Sequence, residues 1–240
     1  MKKVSKCIIS LMVILGVAAH PDDLDFGASG TFAKWAKEGN DCYYLICTNG
    51  SKGSDDPQMS EEKLISLRKE EQKEAAKILG LKDVFFLDHQ DTELLADLTL
   101  KKEITQIIRK LKPEIVVTSD PTFVYSKERG FINHTDHRAC GQATIDAVFP
   151  LARDRLTFPE LASEGLLPHK VKTLYLTRSD VPTDILDITD TFDLKIKALK
   201  AHTSQINDSH IQKVEAGSRK LGKKAGFEYA EGFIILTLPG

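Results

Sequence analysis

The feature that most constrains the fold of this 240-residue chain is the regular alternation of short apolar segments with longer amphipathic ones. The apolar segments are rich in Val, Ile and Leu, which is typical of strands buried on both faces. Strands are predicted up to Ala18 and at 43–47, 84–87, 115–118, 171–177, 185–188 and 233–238, and helices at 28–39, 63–79, 98–111, 137–148, 192–202 and 210–224. This order predicts an α/β, Rossmann-like three-layer fold, with a mostly parallel sheet covered by helices on both faces.

Length and composition favour one folded domain. The chain is long enough to bury a sizeable core, and 41% of its residues are hydrophobic. We expect a single domain over residues 1–240, with a core at about 7–150 that is completed by 171–240. The formal net charge is −2, so the chain lacks the basic surface that nucleic acids or anionic membranes attract.

Cysteine usage favours a reducing compartment. Cys7, Cys42, Cys47 and Cys140 form neither a CxxC motif nor the framework of a disulfide-rich protein. Three of the four lie in apolar segments, so we expect buried free thiols. Free thiols are typical of a cytoplasmic protein.

The apolar segment at the N-terminus has two interpretations. MKKVSKCIISLMVILGVAA begins with basic residues and ends with small ones, which is also the pattern of a cleaved signal peptide. Its Ile and Val content equally fits a buried parallel strand, and it is shorter than a membrane span. We favour the strand, because cleavage after Ala18 or Ala19 would remove the rigid support of the polar residues that follow.

Two polar clusters follow the first and the fourth predicted strands, which are adjacent in a common order of parallel strands. HPDD follows the first strand, and NHTDH lies in the loop after the fourth. In a 3-2-1-4-5 sheet these two strands are adjacent, and ligands bind beyond their carboxyl ends. We therefore expect the clusters to face each other across one crevice. The loops at 49–60, 121–133 and 150–170 are expected to shape its pocket.

The residue types in the clusters indicate a metal site. Two histidines with one carboxylate suit Zn²⁺ and leave a fourth position for water. A second carboxylate beside the metal can act as general base. The alternative is purely structural: HPDD as a capped turn and NHTDH as a helix N-cap. The presence of both clusters, each after a strand of the same sheet, favours the metal site.

AHPDDLDFGASG and NHTDHRACGQAT resemble the two signature blocks of the LmbE-like, or PIG-L, zinc-dependent N-deacetylases. Those blocks are typically (A/P)HPDDxxxG and HPDHRxxG. RKEEQKEAAKILGLKDVFFLDHQDTEL, KALKAHTSQI and YAEGF are similar to further parts of the family, so the resemblance spans nearly the whole chain. It implies hydrolysis of the N-acetyl group of an N-acetylglucosamine-containing substrate, with release of acetate.

The resemblance also implies roles for individual residues. His20, Asp23 and His137 would hold the zinc ion, and Asp22 would be the general base that activates water. His134 would act as acid or stabilise the oxyanion, with Asp136 orienting it. The positions implied for substrate binding are Arg68, Asp120 and His202. Many relatives are oligomers, so a homo-oligomer is also expected.

The match to the family blocks is not complete. Thr135 stands where the second block usually has Pro, and Ile132 stands where a Tyr would be expected. Any oxyanion-stabilising hydroxyl must then come from elsewhere, and Tyr125 is the candidate. Asp25 is interpreted as a support of the site rather than a ligand.

Two other functions fit parts of the sequence. DLDFG after an apolar strand fits a haloacid-dehalogenase-type phosphatase, in which Asp23 and Asp25 would be the nucleophile and its partner with Mg²⁺. That interpretation leaves both histidines of the second cluster unused. A non-catalytic zinc- or sugar-binding module is the other alternative, and the carboxylate of Asp22 argues against it.

Overall fold

The computed structural model describes residues 11–128 and 130–240. In chain order the strands are β1 (Val13–Ala18), β2 (Asp41–Thr48), β3 (Asp83–His89), β4 (Ile115–Ser119), β5 (Tyr125–Ser126), β6 (Phe131–Ile132), β7 (Thr173–Thr177), β8 (Asp184–Asp187) and β9 (Ala230–Thr237). Seven of them form one sheet in the order β3-β2-β1-β4-β7-β9-β8, and β5 and β6 form a separate hairpin. The first five strands of the sheet are parallel, and β9 runs antiparallel to both of its neighbours.

Helices cover both faces of the sheet. They are α1 (Asp23–Gly27), α2 (Ser29–Lys37), α3 (Glu61–Leu79), α4 (Leu98–Leu111), α5 (Thr135–Asp146), α6 (Pro159–Ser163), α7 (Phe192–Ala201) and α8 (Asp208–Ala225), with a π-helical turn at Ala147–Leu151 and a 3-10 turn at Thr189–Thr191. Apolar residues of α4 and α5 pack on one face, and those of α2, α3 and α7 pack on the other. The predicted α/β three-layer fold is confirmed.

The central strand β1 shows why the sheet has two cores. Leu15 and Val17 belong to the core under α4 and α5, whereas Ile14 and Ala18 belong to the core under α2 and α3. Successive side chains of a strand point to opposite faces, so an uninterrupted apolar strand fills both cores. β1 pairs with β2 on one side and with β4 on the other, in the predicted order.

The structure describes the second half of the N-terminal apolar segment as β1, whereas residues 1–10, with Cys7, lie outside the described residues. The other three cysteines are buried free thiols, as predicted, and the sulfur atoms of Cys47 and Cys140 lie 3.7 Å apart. Within 11–128 and 130–240, no helix is long and apolar enough to cross a membrane. A single domain over 1–240 stays a prediction.

Two segments differ from their predicted structure. The helix predicted at 137–148 begins at Thr135, because the side chain of His134 accepts a hydrogen bond from the backbone N–H of Asp136 and caps it. The loop at 150–170 does not shape the crevice. Its residue His169 lies 2.7 Å from the carbonyl of Pro113, which precedes β4, so this loop lies at the amino end of the strands.

Gly141 allows α5 to lie directly on the end of β4. A Cβ atom at this position would lie 2.3 Å from the carbonyl oxygen of Ser119. The contact is with backbone, which cannot move aside as a flexible side chain can. Close packing at Gly141 therefore fixes where the N-terminus of α5, with its histidines, meets the sheet.

We expect Gly141→Ala to lower the free energy of unfolding by about 1–3 kcal/mol, because the added methyl group overpacks this contact. Gly217→Ala in α8 is the matched control, since a Cβ there has no atom within 4 Å. The control should be neutral or stabilise by up to about 1 kcal/mol through helix propensity. Urea denaturation followed by circular dichroism measures both, and equal effects would contradict the packing argument.

Candidate metal centre

The two polar clusters meet beyond the carboxyl ends of β1 and β4. His20, Asp22 and Asp23 follow β1, and His134 and His137 lie at the start of α5. All five line one pocket of about 300 Å³. The crevice that the sequence predicts is therefore present, at the position that the order of parallel strands dictates.

Three side chains form a tight triangle of donor groups in this pocket: His20, His137 and Asp23, whose two carboxylate oxygens each face one histidine. Nδ1 of His20 lies 3.2 Å from Nε2 of His137, and Nε2 of His137 lies 2.9 Å from Oδ1 of Asp23. Nδ1 of His20 lies 3.3 Å from Oδ2 of Asp23. Zinc bonds of about 2.0–2.2 Å in tetrahedral geometry place ligand atoms about 3.3 Å apart, so the residues present fit a zinc ion.

Each histidine of the triangle has an outer ring nitrogen, Nε2 of His20 and Nδ1 of His137, that points away from the other two donor groups. Both outer nitrogens have hydrogen-bond acceptors that fix the tautomer of the ring. Nε2 of His20 lies 3.0 Å from Oδ1 of Asp91 and 3.2 Å from Oδ2 of Asp136. Nδ1 of His137 lies 2.9 Å from Oδ1 of Asn133. A proton on each outer nitrogen leaves the inner nitrogens as lone-pair donors, which is the arrangement typical of metal-binding histidines.

Other groupings of ligand atoms are possible around His20. Two sets of residues have ligand atoms within 4.8 Å of one another. The first set is His20, His134 and His137, and the second is His20, Asp91, His134 and Asp136. The second set would use Nε2 of His20, which faces two carboxylates. Oδ2 of Asp136 also accepts the backbone N–H of Thr92 at 2.7 Å. We therefore favour Nδ1 as the metal-facing atom.

Asp136 holds a different side chain from the one expected. Its carboxylate contacts His20 and the backbone after β3, and Oδ2 is 4.0 Å from Nδ1 of His134. The backbone N–H of Asp136, at 3.2 Å, is what contacts Nδ1 of His134. Nδ1 is thus an acceptor, and the neutral ring carries its proton on Nε2. His134 is oriented by the helix terminus rather than by the Asp136 carboxylate.

The buried charges shift one another's pKa. Burial acts to lower the pKa of His20, but bonds to three carboxylates outweigh burial and raise that pKa well above the ordinary value. Burial lowers the pKa of His137. Burial acts to raise the pKa of Asp23, but the facing His137 and Arg178 outweigh it and hold the pKa well below its usual range. Asp23 is therefore an anion that is ready to bind a cation.

Asp22 is held in a rare conformation beside the triangle. Its φ of 88° lies in the left-handed region, which a non-glycine residue adopts only when its surroundings hold it there. Its backbone N–H donates to Oε1 of Gln72 at 2.8 Å, and Arg68 donates to its Oδ2 at 3.1 Å. Burial raises the pKa of Asp22 to about 6, although the charge of Arg68 opposes this.

Arg68 lines the pocket but is largely occupied by the chain itself. Besides Asp22, its guanidinium donates to the carbonyls of Pro21 at 2.8 Å and Gly50 at 2.9 Å. These bonds join α3 to the loops after β1 and β2. A contact of Arg68 with substrate stays a prediction.

The other two predicted substrate residues do not lie on the pocket. Oδ1 of Asp120 accepts both the backbone N–H and the hydroxyl of Thr122, at 2.9 and 2.6 Å, so Asp120 forms a turn. His202 is 0% exposed, and its Nε2 lies 2.8 Å from Oδ2 of Asp25. Neither residue lines the metal pocket, and substrate contact by Asp120 or His202 stays a prediction.

Tyr125 is not at the metal pocket either. It lies on the β5–β6 hairpin and is 67% exposed. Asp25, in contrast, supports the site as expected, since it is fully buried and accepts Nε2 of Gln72 at 2.9 Å. The burial of Asp25 and the bonds of its Oδ2 to Gln72 and His202 also argue against the phosphatase interpretation, which needs this carboxylate at the reacting centre.

Sequence reasoning missed three residues that shape the site. Asn133 contacts His137, Gln72 bridges Asp22 to Asp25, and Arg178 donates to Oδ1 of Asp23 at 2.8 Å. Arg178 directly follows β7, so the rule that polar residues beyond the carboxyl ends of strands form the site would have found it. Gln72 lies four residues after Arg68 in α3, on the same helix face.

This fold and this arrangement of donors define an α/β protein with a candidate metal centre at the carboxyl end of its sheet. The model of the PIG-L family, GlcNAc-PI de-N-acetylase, matches residues 15–148, and the chain belongs to this family. The resemblance seen in the sequence blocks is thereby confirmed.

Relatives with named activities cover most of the chain. The diacetylchitobiose deacetylase of Thermococcus kodakarensis is 34% identical over 99% of this chain and 87% of its own length. A probable N-acetyl-alpha-D-glucosaminyl L-malate deacetylase 2 of Bacillus subtilis is 32% identical over 80% of this chain and 82% of its own length. The structure of N,N'-diacetylchitobiose deacetylase from Pyrococcus horikoshii, complexed with its inhibitor MPG, superposes with a TM-score of 0.86 and 32% identity over 94% of this chain and 84% of that one.

We expect His137→Ala to weaken zinc binding by at least about 100-fold, because it removes one of three protein donors. His169→Gln is the control, since His169 lies at the opposite end of the strands. Competition with a chromophoric chelator measures both affinities. Zinc retained at full affinity by His137→Ala would show that the triangle is not the ligand set.

Proposed function

We propose that this protein is a zinc-dependent N-deacetylase that hydrolyses the acetamide of a small N-acetylglucosamine-containing substrate and releases acetate. The observation that carries the proposal is the triangle of donor atoms beside the Asp22 carboxylate, in one pocket. The activities of the similar deacetylases from Thermococcus and Bacillus support the same reaction.

His20, Asp23 and His137 would hold the ion. When bound, zinc supplies a Lewis acid that polarises the acetyl carbonyl and lowers the pKa of a coordinated water. His20 must be neutral at Nδ1 to donate its lone pair, so its raised pKa implies that binding releases a proton.

Asp22 is the residue suited to take a proton from the attacking water. Arg68 binds its Oδ2, and no described residue donates to its other oxygen, which is therefore available as an acceptor. The bond from Gln72 to its backbone keeps the carboxylate at the pocket wall. A fixed acceptor at the reaction centre is what general-base catalysis requires.

His134 is the residue suited to stabilise the oxyanion that forms on the acetyl oxygen. Its side chain is 38% exposed at the pocket wall, and its Nδ1 is engaged by the backbone of α5. The Nε2–H group then donates a hydrogen bond to the oxyanion and keeps its proton. Asp22 takes a proton from the water that adds to the acetyl carbon and gives it to the nitrogen as the C–N bond breaks, so acetate and a free amine leave.

The location and assembly of the protein are further proposals. The three buried free thiols support a reducing, cytoplasmic location. A homo-oligomer stays a prediction of the family resemblance. A non-catalytic zinc- or sugar-binding module is the alternative that remains, and failure of the zinc-loaded protein to release acetate from any N-acetylglucosamine derivative would favour it.

We expect Asp22→Asn to reduce acetate release by about 100-fold or more while the zinc content is unchanged, because the amide cannot accept the proton. Acetate is measured enzymatically with N-acetylglucosamine and diacetylchitobiose as substrates, and zinc by atomic absorption. Undiminished turnover would remove Asp22 from the mechanism. Loss of zinc would show that Asp22 is a ligand instead.

We expect Gln72→Met, a change of similar shape, to lower kcat by about 10-fold to 100-fold without changing KM, because Asp22 loses the bond that positions it. Gln142→Met on the exposed side of α5 is the control. Zinc content and the urea midpoint are measured in parallel. A fall in stability with unchanged kcat would make the role of Gln72 purely structural.

A further inference from the structure

A second groove begins where the metal pocket ends. It has a volume of about 670 Å³, against about 300 Å³ for the metal pocket, and the two share Phe26 and Arg178 as lining residues. Arg178 contacts Asp23 at 2.8 Å, so the groove starts one side chain away from a predicted zinc ligand. The two cavities are therefore neighbours, and the groove lies within reach of a group attached to a sugar in the metal pocket.

We propose that this groove binds an apolar aryl or alkyl group attached to the amino sugar, so that the protein prefers N-acetylglucosamine conjugates with an apolar aglycone. The inference deepens the proposed function and rests on it. It assigns a part of the substrate to residues outside the metal centre, which lie on the β5–β6 hairpin, the loop after β7, and α8.

The lining of the groove is mainly apolar. Phe123 and Phe131 stack with their ring centroids 6.0 Å apart and form one wall, and Phe131 is 41% exposed. Val214 and Leu221 of α8 also line the groove and are half-buried. Partly exposed aromatic and aliphatic side chains gain free energy when an apolar ligand covers them.

The acidic group in the groove does not make it polar. Glu231 is 4% exposed, and its oxygens are engaged by Nζ of Lys195 at 2.7 Å and by the backbone and hydroxyl of Thr31. Its charge is thereby compensated within the protein. Arg178 is likewise paired with Asp23, at the junction with the metal pocket.

Gly217 is one of the residues that line the groove. It lies within α8, where glycine weakens a helix relative to alanine. Close packing does not explain it, because a Cβ at this position has no atom within 4 Å. Gly222, one and a half turns later, contrasts with it, since a Cβ there would lie 2.9 Å from two backbone carbonyls. Because Gly217 lines the groove and has open space beside it, a large side chain at 217 has room to occupy part of the groove.

The experiment compares two substrates that differ only in the aglycone: methyl and n-hexyl glycosides of N-acetylglucosamine, in both anomeric forms. We expect the zinc-loaded protein to show at least about tenfold higher kcat/KM for one hexyl glycoside than for its methyl counterpart, since each buried methylene adds to binding. Equal kcat/KM values for the two aglycones would overturn the proposal.

Gly217→Trp fills the groove and should remove the preference for the hexyl glycoside, while turnover of the methyl glycoside stays within about twofold. Gly217→Ala is the matched control and should keep the preference. Val214→Asp, which places a charge on the apolar lining, is a second variant, and it should also lose the preference for the hexyl glycoside. If Gly217→Trp and Val214→Asp lowered kcat/KM for the methyl and hexyl glycosides to the same degree, the result would contradict a groove for the aglycone.

Equilibrium binding separates this proposal from the proposed function. Calorimetry with the hexyl glycoside and protein without metal needs no turnover, and we expect binding that Gly217→Trp weakens at least about tenfold. Such binding without acetate release would uphold the groove and overturn the deacetylase. Acetate release with equal binding of the methyl and hexyl glycosides would uphold the deacetylase and overturn the groove as a binding site for the aglycone. If Gly217→Trp instead changes the molecular mass seen by light scattering, and hexyl binding is unchanged, the groove is a contact between copies of the chain.

Discussion

The site depends on the parallel pairing of β1 with β4. This pairing, with Ile14 opposite Ile115 and Gly16 opposite Val117, aligns the two strands so that both end at the same edge. The turn after β1 and the N-terminus of α5 then meet, although about 115 residues separate them in the chain, as His20 and His137 contact each other 117 positions apart. A donor triangle with sides near 3 Å tolerates little movement, and only a rigid sheet supplies such precision.

Behind the triangle, buried polar networks hold the turn after β1 in place. Nζ of Lys195, which is 1% exposed, donates to the carbonyls of Asp25 and Phe26, at 2.9 and 2.7 Å. The carboxylate of Asp25 is bonded to His202 and Gln72. These bonds satisfy both carbonyl groups and Oδ2 of Asp25, which are costly to bury alone, and together they hold the turn in place. The left-handed backbone of Asp22 is maintained by this network.

The fold and the two clusters were predictable because they follow from local patterns and one rule of topology. Apolar strands alternate with amphipathic helices, and polar residues after adjacent parallel strands converge. The orientations of the His202 and Asp120 side chains were not predictable in this way. Whether a polar side chain faces a pocket or a buried partner depends on its rotamer and on the packing around it, and neither leaves a periodic signal. The partner of His202, Asp25, is 177 residues away.

The charges of the site explain why it suits a divalent cation. Four carboxylates and two guanidinium groups surround the pocket, namely Asp22, Asp23, Asp91, Asp136, Arg68 and Arg178, whereas the nearby Lys52 is paired with Glu61 outside this set. The carboxylates therefore exceed the guanidinium groups by two negative charges. In the protein without metal, the raised pKa of His20 offsets part of this excess by retaining a proton. A cation of charge +2 held at the triangle would replace that proton and balance the remaining carboxylates, so metal binding would remove repulsion between them.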